Sequence, residues 1–466
     1  MLTPALRKYR HTWPCFQIKD DTFWKLGKNR YFYLRDMPEK LNELAVDSRW
    51  PAFFPSPICF VTTSDGVSVA LEKVVGPSIV NRFPYVIALS FCKQNISERH
   101  HAREKFMKIL ESGSVVAVQF LPPGDTLDRA VNAIISIKDE DSVARVAKSG
   151  LPTRKALTNS APVFNDAYMV YEARFLKSAV TFHGNNVQRI PWIDMGSHRV
   201  YFLEINAIQL RSDIAAGKSQ IVWRSLPAWQ SRLQIPATDL DFRNRVKAEY
   251  QKPYTPYYFF PSSGTIAFHP DRNENGMAIR FLPPLTDDQE KTDNNATRWP
   301  CFFPSSVSLI TSWTEEHRPN LMPCGSTTVL SRYPLTIAAC ICYSDINKRY
   351  SPRATLEAIK KSGRFGCAVP FIDDQVIEAI KYTGSVSIRD DPHKAANSGL
   401  QFIAGENAPI VSSLPLHFDC RVAKEIRLGT HEMFVGEVTR IFVRADVTQD
   451  NPLEWYPWAD VLPFRR

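Results

Sequence analysis

The chain has 466 residues, enough for two or three domains, and with 44% hydrophobic and 23% charged residues its composition is that of a soluble globular protein. It contains no apolar stretch long enough for a transmembrane helix, and no apolar signal core follows its first residues, so we expect a cytoplasmic protein without a membrane partner. The net charge of +9 favours anionic partners, but the basic residues are scattered, which argues against nucleic acid and suits a phosphorylated cofactor. The nine cysteines form no CxxC pair, so we expect buried thiols rather than a metal site.

A repeated motif divides the chain into two copies. Residues 49–57 read RWPAFFPSP and residues 298–306 read RWPCFFPSS, which are identical at seven of nine positions. Further along, Arg82-Phe83-Pro84 matches Arg332-Tyr333-Pro334 at nearly the same spacing, about 250 residues. A period of this length indicates two similar domains in tandem, since solenoid and propeller units are much shorter.

In chain order the repeat predicts four segments. They are an N-terminal extension (1–48), a first and more diverged copy (49–204), a connecting segment (205–297) and a second copy (298–466). The connecting segment includes a run of aromatic residues and prolines at 253–261. Because so many aromatic side chains are untypical of a disordered linker, we expect this segment to pack on the two domains.

Hydrophobic patterning predicts a strand-rich second copy. The predicted elements are strands at 306–312, 335–343 and 365–370, helices at 352–361 and 373–382, and a hairpin formed by 415–426 and 431–444 around Gly429. Pro352 and Gly363 are typical of the start and the end of a helix. Sequential strands with few helices favour a mainly β fold with short helices, built as a small barrel.

The second copy resembles the flavin reductase domain family, whose fold is the FMN-binding split β-barrel. The resemblance runs from about Pro304 to Val447. The stretches that carry it are 307–311, 324–334, 351–356, 378–379, 383–384, 416–420 and 428–438. Members of this family commonly form homodimers with the flavin near the subunit interface. The resemblance therefore implies two split β-barrel domains packed as an internal pseudo-dimer, and it leaves open a homodimer of the whole chain.

The same resemblance implies an FMN site in the second copy. The predicted cofactor-binding residues are Thr311, Gly325, Ser326, Thr327, Thr328, Tyr343, Ser344, Ser351, Arg353 and Thr355. The hydroxyl-rich stretch 325–328 is expected to form a loop against the flavin ring. Ser351, Arg353 and Thr355 come at the start of a helix, where free N–H groups and the helix dipole favour a phosphate. A simple N-cap remains the alternative for Ser351.

The predicted catalytic residue is His431, which follows Gly429 in a turn before a strand. In the family a histidine at this position lies near the flavin and the nicotinamide. Family members usually have aspartate before the histidine, whereas this chain has Thr430. The alternative for His431 is a turn residue that is hydrogen-bonded to the backbone.

The first copy preserves this pattern less well. Pro77 stands in its equivalent of the hydroxyl-rich stretch and removes a backbone donor. Arg103 and His198 are kept, but His101 and Lys105 replace the two hydroxyl residues at the helix start. We expect the first copy to act mainly as a structural partner, and whether it also binds flavin stays open.

Together these features predict an FMN-binding oxidoreductase in which NAD(P)H reduces the flavin and the electrons pass to an unidentified acceptor. The expected partners are flavin and nicotinamide nucleotides. The absence of a Rossmann fingerprint from the sequence suits a split barrel that takes the nicotinamide over the flavin face. Two alternatives stay open: a flavin carrier or flavin-dependent enzyme that does not use NAD(P)H, and a scaffold without flavin.

Overall fold

The fold is taken from a computed structural model. It describes residues 23–26, 29–33, 58–75, 77–81, 84–93, 100–121, 142–176, 180–182, 187–188, 191–196, 198–215, 270–282, 308–332, 334–342, 352–370, 374–414 and 416–443. No helix within these ranges has both the length and the apolar character needed to cross a membrane.

Strands predominate over helices in the described part of the chain. The strands are β1 (Phe23–Leu26), β2 (Asn29–Tyr33), β3 (Ile58–Ser64), β4 (Val69–Val75), β5 (Ser78–Asn81), β6 (Val86–Cys92), β7 (Val115–Phe120), β8 (Thr153–Lys155), β9 (Pro162–Phe164), β10 (Met169–Phe175), β11 (Val180–Phe182), β12 (Val187–Gln188), β13 (Trp192–Met195), β14 (His198–Arg211), β15 (Arg272–Glu274), β16 (Met277–Phe281), β17 (Ser308–Trp313), β18 (Pro319–Cys324), β19 (Thr327–Arg332), β20 (Leu335–Cys342), β21 (Arg364–Val369), β22 (Phe402–Ala404), β23 (Pro409–Val411), β24 (Leu416–Arg427) and β25 (His431–Val443). The helices are α1 (His100–Gly113), α2 (Ser142–Lys148), α3 (Ser212–Ala215), α4 (Ala354–Ser362), α5 (Asp374–Ser385) and α6 (Lys394–Asn397).

The first barrel is a curled antiparallel sheet with the order β15–β16–β14–β10–β7–β3–β4. β13 and β6 also pair with β14, and β5 pairs with β6. Helix α1 closes this sheet, because Phe106 and Leu110 are buried in one core with Phe120, Tyr171 and Tyr201. The alternating apolar residues of these strands therefore fill the interior of the barrel.

The second barrel has the same strand order. Its central strands run β25–β24–β21–β17–β18, which corresponds to β14–β10–β7–β3–β4, and β20 pairs with β25 and β19 as β6 pairs with β14 and β5. Helix α4 takes the place of α1 and packs Leu356 and Ile359 against Phe365, Phe418 and Phe434. The predicted mainly β fold with two barrel domains is confirmed.

A shared apolar cluster joins the two barrels. Val80 and Phe202 from the first barrel are buried in one cluster with Leu330 and Val435 from the second. β5 contacts β25, and β19 contacts β14 in the corresponding way. The Ser90 hydroxyl also donates a hydrogen bond to the carbonyl of Leu330. The barrels therefore pack face to face, as expected for an internal pseudo-dimer.

Strands from one half of the chain also extend the barrel of the other half. The hairpin β1–β2 pairs with β25 of the second barrel, and β11 pairs with β24. The hairpin β15–β16, which follows β1–β2 at about the spacing of the sequence repeat, pairs with β14 of the first barrel. Parts of the predicted N-terminal extension and of the predicted connecting segment are thus built into the barrels.

The predicted elements of the second copy correspond to β17, β20, α4, β21, α5 and the β24–β25 hairpin. Helix α4 ends as predicted at Gly363, whose φ of 66° allows its N–H to bond the carbonyl of Ile359 at 2.8 Å. The expected loop at 325–328 is shorter than predicted, because Thr327 and Thr328 belong to β19. β-Branched threonines favour strands, and both pair with alanines of β20.

Candidate functional site

A short turn beside the end of β20 carries the first group of predicted site residues. Gly325 and Ser326 connect β18 to β19 and are partly exposed. The Ser326 carbonyl accepts a hydrogen bond of 3.0 Å from the N–H of Cys340 in β20. Thr327 and Thr328 follow directly and are almost fully buried. The turn is therefore held beside Cys340, close to the C-terminal end of β20.

Arg353 lies close to this turn. It is the N-cap residue of α4, with extended backbone angles, and its carbonyl accepts the N–H of Leu356 at 2.9 Å. Burial raises the pKa of the Cys324 thiol, and hydrogen bonds together with the positive charge of Arg353 oppose that rise. The hydrogen bond between Asn320 of β18 and Thr355 in the first turn of α4 also places the helix start beside the strand that leads into the turn.

His431 lies close to the same end of β20, on the strand that pairs with its opposite edge. It is the first residue of β25, pairs with Cys342, and follows a turn in which Gly429 has a φ of 148°. The ring Nδ1 of His431 is 3.0 Å from the Thr430 hydroxyl oxygen. The backbone N–H of His431 donates a hydrogen bond of 2.9 Å to the side-chain carbonyl of Asn81, which belongs to the first barrel. The backbone of His431 is therefore held by the first barrel, and its ring contacts Thr430 of the second.

These three features come together at one edge of the second barrel. β19, β20 and β25 are adjacent strands, so the turn at Ser326 and the start of β25 at His431 are separated by two strand spacings, roughly 10 Å. Leu428, just before the histidine turn, is buried in the cluster shared with the first barrel. The edge thus offers partly exposed backbone at the 325–326 turn, the Arg353 guanidinium and an imidazole beside the barrel interface.

Two predicted cofactor residues make contacts within the domain instead. The Thr355 hydroxyl accepts a hydrogen bond of 3.0 Å from the buried side-chain amide of Asn320. The fully buried Thr311 hydroxyl donates a 2.7 Å hydrogen bond to the carbonyl of Pro409. Thr311 and α4 lie on opposite faces of β17, because the intervening Ile310 packs in the core with α4. The geometry therefore does not bring Thr311 into the group around Arg353.

The Thr311 contact belongs to a loop anchor that both barrels share. In the second barrel, Asp419 accepts backbone N–H groups from residues 406–408. Burial raises the pKa of Asp419 to about 6, although these hydrogen bonds oppose the rise. In the first barrel, Thr62 donates to the carbonyl of Pro162 as Thr311 does to that of Pro409. The shared hydrogen bond explains the presence of a threonine in both copies without reference to a ligand.

His417 is a buried residue that the sequence analysis did not identify. Its side chain has no exposed surface, and within the described residues neither ring nitrogen has a hydrogen-bond partner. Burial lowers the pKa of His417 to about 3. Its ring packs against Gly366, where a Cβ atom would come within 2.4 Å of Nε2. This histidine is on the outer face of the sheet with Thr311, away from α4.

Three other predicted residues, Tyr343, Ser344 and Ser351, lie outside the described residues. Their roles stay predictions.

The sequence analysis did not identify Asn81, because its partner His431 is in the other half of the chain. A signal was present in the alignment of the copies: the position before the repeated Arg-aromatic-Pro motif is Asn81 in the first copy and Ser331 in the second.

The equivalent helix start in the first barrel has different electrostatics. The Arg103 guanidinium is 3.8 Å from the carboxylate of Glu72, which is 2% exposed. Glu72 also forms a 2.6 Å ion pair with the buried guanidinium of Arg145 from α2. The residue of the second barrel that corresponds to Glu72 in the β17–β18 register is the uncharged Met322. The first-barrel arginine therefore lies near a carboxylate, which it shares with Arg145, whereas the second barrel has no acid at that position.

Comparison with known proteins shows a family similarity of the second barrel. Residues 300–459 match the family described as flavin reductase like domain. An uncharacterized protein from Archaeoglobus fulgidus is 28% identical over 141 residues, which is 30% of this chain and 72% of that protein.

Two solved structures are among those to which the chain is similar. A flavoredoxin from Methanosarcina acetivorans is 21% identical, with 32% of this chain and 75% of that chain covered and a TM-score of 0.28. An FMN-binding protein from Thermus thermophilus is 18% identical, with 34% and 84% covered and a TM-score of 0.29. The family match spans the turn at Ser326, Arg353 and His431, so the part of this chain that is similar to the flavin reductase-like family contains all three.

Proposed function

We propose that the chain is an FMN-dependent oxidoreductase with one principal flavin site, at the edge of the second barrel defined by the 325–326 turn, Arg353 and His431. The observation that carries the proposal is the position of these three groups around the end of β20, in a domain similar to the flavin reductase-like family. When bound, FMN supplies the redox chemistry, and the protein binds and orients it.

The groups at this edge fit FMN. Arg353 and the first N–H groups of α4 offer positive charge for a phosphate. The turn at Gly325 and Ser326 offers backbone next to small side chains, which allows close approach of a flat ring system. The His431 ring contacts the Thr430 hydroxyl at 3.0 Å, and an imidazole can hold or move a proton at a ring nitrogen. Ser351, together with Tyr343 and Ser344, is proposed to complete the site.

NAD(P)H is proposed as the electron donor, and the acceptor is unidentified. A flavin carrier or a flavin-dependent enzyme that does not use NAD(P)H would have the same FMN site. The two differ in one measurement, because only the first predicts that NADH or NADPH bleaches the yellow protein. A scaffold without flavin predicts a colourless chain that takes up no FMN.

The experiment is an FMN titration of the full chain followed by stopped-flow reduction. Saturable FMN binding and bleaching by NADH or NADPH are expected. His431→Ala should retain FMN but slow its reduction, by ~10²–10⁴-fold if the imidazole acts as a general acid or base and by less if it only orients the nicotinamide. His198→Ala is the matched control at the equivalent turn of the first barrel and should leave the rate unchanged. If the chain takes up no FMN, the proposal is wrong.

A further inference from the structure

We propose that Arg389 is a positioning residue for the phosphate end of the flavin site, and that it makes the site favour FMN over riboflavin by pairing with Glu357 in the first turn of α4. This inference deepens the proposed function and rests on it, because it names the part of the ligand on which the selectivity depends. Arg389 lies in the loop between α5 and α6 and is not among the site residues predicted from the sequence.

The Arg389 side chain contacts the start of α4 at two points. Its Nη1 donates a hydrogen bond of 2.9 Å to the carbonyl of Pro352, the residue before the N-cap Arg353. Its Nη2 is 2.6 Å from Oε2 of Glu357, the acid in the first turn of the helix. One guanidinium therefore bridges the chain that enters α4 and the first turn of α4 itself, which its planar fork of donors allows.

The loop that carries Arg389 is fixed to the helices on either side. The carboxylate of Asp391 accepts hydrogen bonds from the Tyr382 hydroxyl of α5 and from the side-chain amide of Asn397 of α6, the latter at 2.9 Å. Both helices pack with β18 in one buried apolar cluster. Because β18 leads into the 325–326 turn, the loop is held on the same strand as the candidate site.

The charge of Glu357 explains why Arg389 matters for an anion. The first N–H groups of a helix attract an anion, whereas a carboxylate in the same turn repels one. Glu357 also comes four residues after Arg353, a spacing at which opposite charges on a helix attract each other. Without Arg389, the carboxylate would both repel a phosphate and compete with it for the Arg353 guanidinium. The ion pair with Arg389 reduces both effects.

The first barrel differs at this position. Arg103 corresponds to Arg353, so the residue that corresponds to Glu357 is Met107, which is buried in the apolar core. The acid with which Arg389 pairs is thus a feature of the second barrel, where the flavin site is proposed.

The experiment compares the affinities of the flavin-free full chain for FMN and for riboflavin, which has the same ring system but no phosphate. Flavin fluorescence is titrated at low ionic strength, where charges are least screened. Arg389→Gln should raise the Kd for FMN about 2- to 5-fold, the range for one charge at a partly exposed helix end, and leave the Kd for riboflavin unchanged. Glu357→Gln should lower the Kd for FMN, and the Arg389→Gln/Glu357→Gln variant should return it close to the wild-type value. Arg389→Lys keeps the charge and should lose less affinity than Arg389→Gln.

Lys381→Gln is the matched control, because it breaks an exposed ion pair with Glu378 that lies within α5 rather than at the start of α4. It should leave both affinities unchanged. The inference would be overturned by an unchanged Kd for FMN in Arg389→Gln, by an equal loss for FMN and riboflavin, or by weaker FMN binding in Glu357→Gln. Equal affinity of the wild-type chain for FMN and riboflavin would also overturn it. A wild-type chain that binds neither flavin would reject the proposed function, and the inference with it.

Discussion

The two barrels share a topology but differ in the charges at the same places. At the helix start, Arg103 of the first barrel faces the buried carboxylate of Glu72, whereas the second barrel has Met322 at the position of that acid. The loop anchors, in contrast, are alike, because Thr62 and Thr311 make the same hydrogen bond to a proline carbonyl. The features that hold the fold are retained in both barrels, while the features that would bind an anion differ.

A second charge difference lies between the first helix and the last strand of each barrel. In the first barrel Glu111 of α1 pairs with Arg199 of β14 at 2.7 Å. In the second barrel Lys360 of α4 pairs with Glu432 of β25 at 2.6 Å, so the signs are exchanged. Glu432 follows His431 directly, and Lys360 lies in the last turn of α4. Because both charges are paired, the exchange of signs changes how the helix is held to the last strand in each barrel.

The largest expected effect concerns the buried ion pair between Arg145 of α2 and Glu72 of β4 in the first barrel. Arg145→Ala leaves the carboxylate of Glu72 buried, with the more distant Arg103 as its ion-pair partner and the N–H of Lys73 as a hydrogen-bond donor. Removing one partner of a buried pair typically costs ~3–5 kcal/mol of the free energy of unfolding, which chemical denaturation would measure. Lys361→Ala is the control, because its pair with Glu315 is well exposed and should contribute about 0–1 kcal/mol. Equal destabilisation by the two variants would mean that the buried pair contributes no more to stability than the exposed pair.

The next effect tests the anion site directly. The Ser351→Ala/Arg353→Ala variant should weaken FMN binding, since a charge-assisted hydrogen bond contributes roughly 1.5–3 kcal/mol, or about 10- to 150-fold in Kd. Arg103→Ala should have a smaller effect, because Arg103 lies beside the carboxylate of Glu72, an acid that the second barrel lacks at this position. Flavin fluorescence titration measures both. An equal loss in both variants would mean that the two barrels bind flavin alike.

A third prediction uses the buried histidine of the second barrel. His417 has its folded pKa lowered to about 3, below its unfolded value, so the stability it contributes is present above pH 6.5 and is lost as the pH falls. Asp419 has its pKa raised to about 6, so its contribution has the opposite sign: it is present below about pH 4 and is lost as the pH rises through 6. Between pH 4 and 6 the two contributions oppose each other.

His417→Val removes the contribution of the histidine and leaves that of Asp419. Valine is the replacement because Val170 is the equivalent residue of the first barrel in the strand register. Between pH 8 and pH 5 the wild type should lose about 2 kcal/mol of its free energy of unfolding through His417, and the variant should not. This figure follows from the slope of ~1.4 kcal/mol per pH unit for one proton. The variant's free energy of unfolding should also rise from pH 6 to pH 4. A parallel pH dependence in variant and wild type would contradict the burial of a neutral imidazole.

The sequence predicted the elements of the second barrel because their patterning is local. Alternation of apolar residues indicated β24 and β25, and Gly363 fixed the end of α4. The position of Arg353 at a helix start followed from the same local signals. Thr327 and Thr328 were predicted as loop residues because hydroxyl and glycine content outweighed the preference of β-branched residues for strands.

What the sequence did not predict depends on contacts between distant segments. Asn81 and His431 are 350 residues apart, and only the packing of the two barrels brings them together. The exchange of strands between the halves, in which β1–β2 extends the second barrel, likewise depends on long-range pairing. For Thr311 the family resemblance predicted a ligand contact, whereas the contact in the fold is a hydrogen bond that exists equally in the first barrel.

The smallest expected effect decides the role of Thr311. Thr311→Val keeps the shape of the side chain but removes the hydrogen bond to Pro409, and a single neutral hydrogen bond contributes about 0.5–1.5 kcal/mol to the free energy of unfolding. Thr62→Val removes the equivalent bond to Pro162 and is the matched variant in the first barrel. If both threonines serve only as loop anchors, the two variants should lose similar stability and bind FMN as the wild type does. A Kd for FMN that rises tenfold in Thr311→Val alone would restore Thr311 as a flavin residue. Since the side chain is fully buried and lies on the opposite face of β17 from α4, we expect the FMN affinity to stay unchanged.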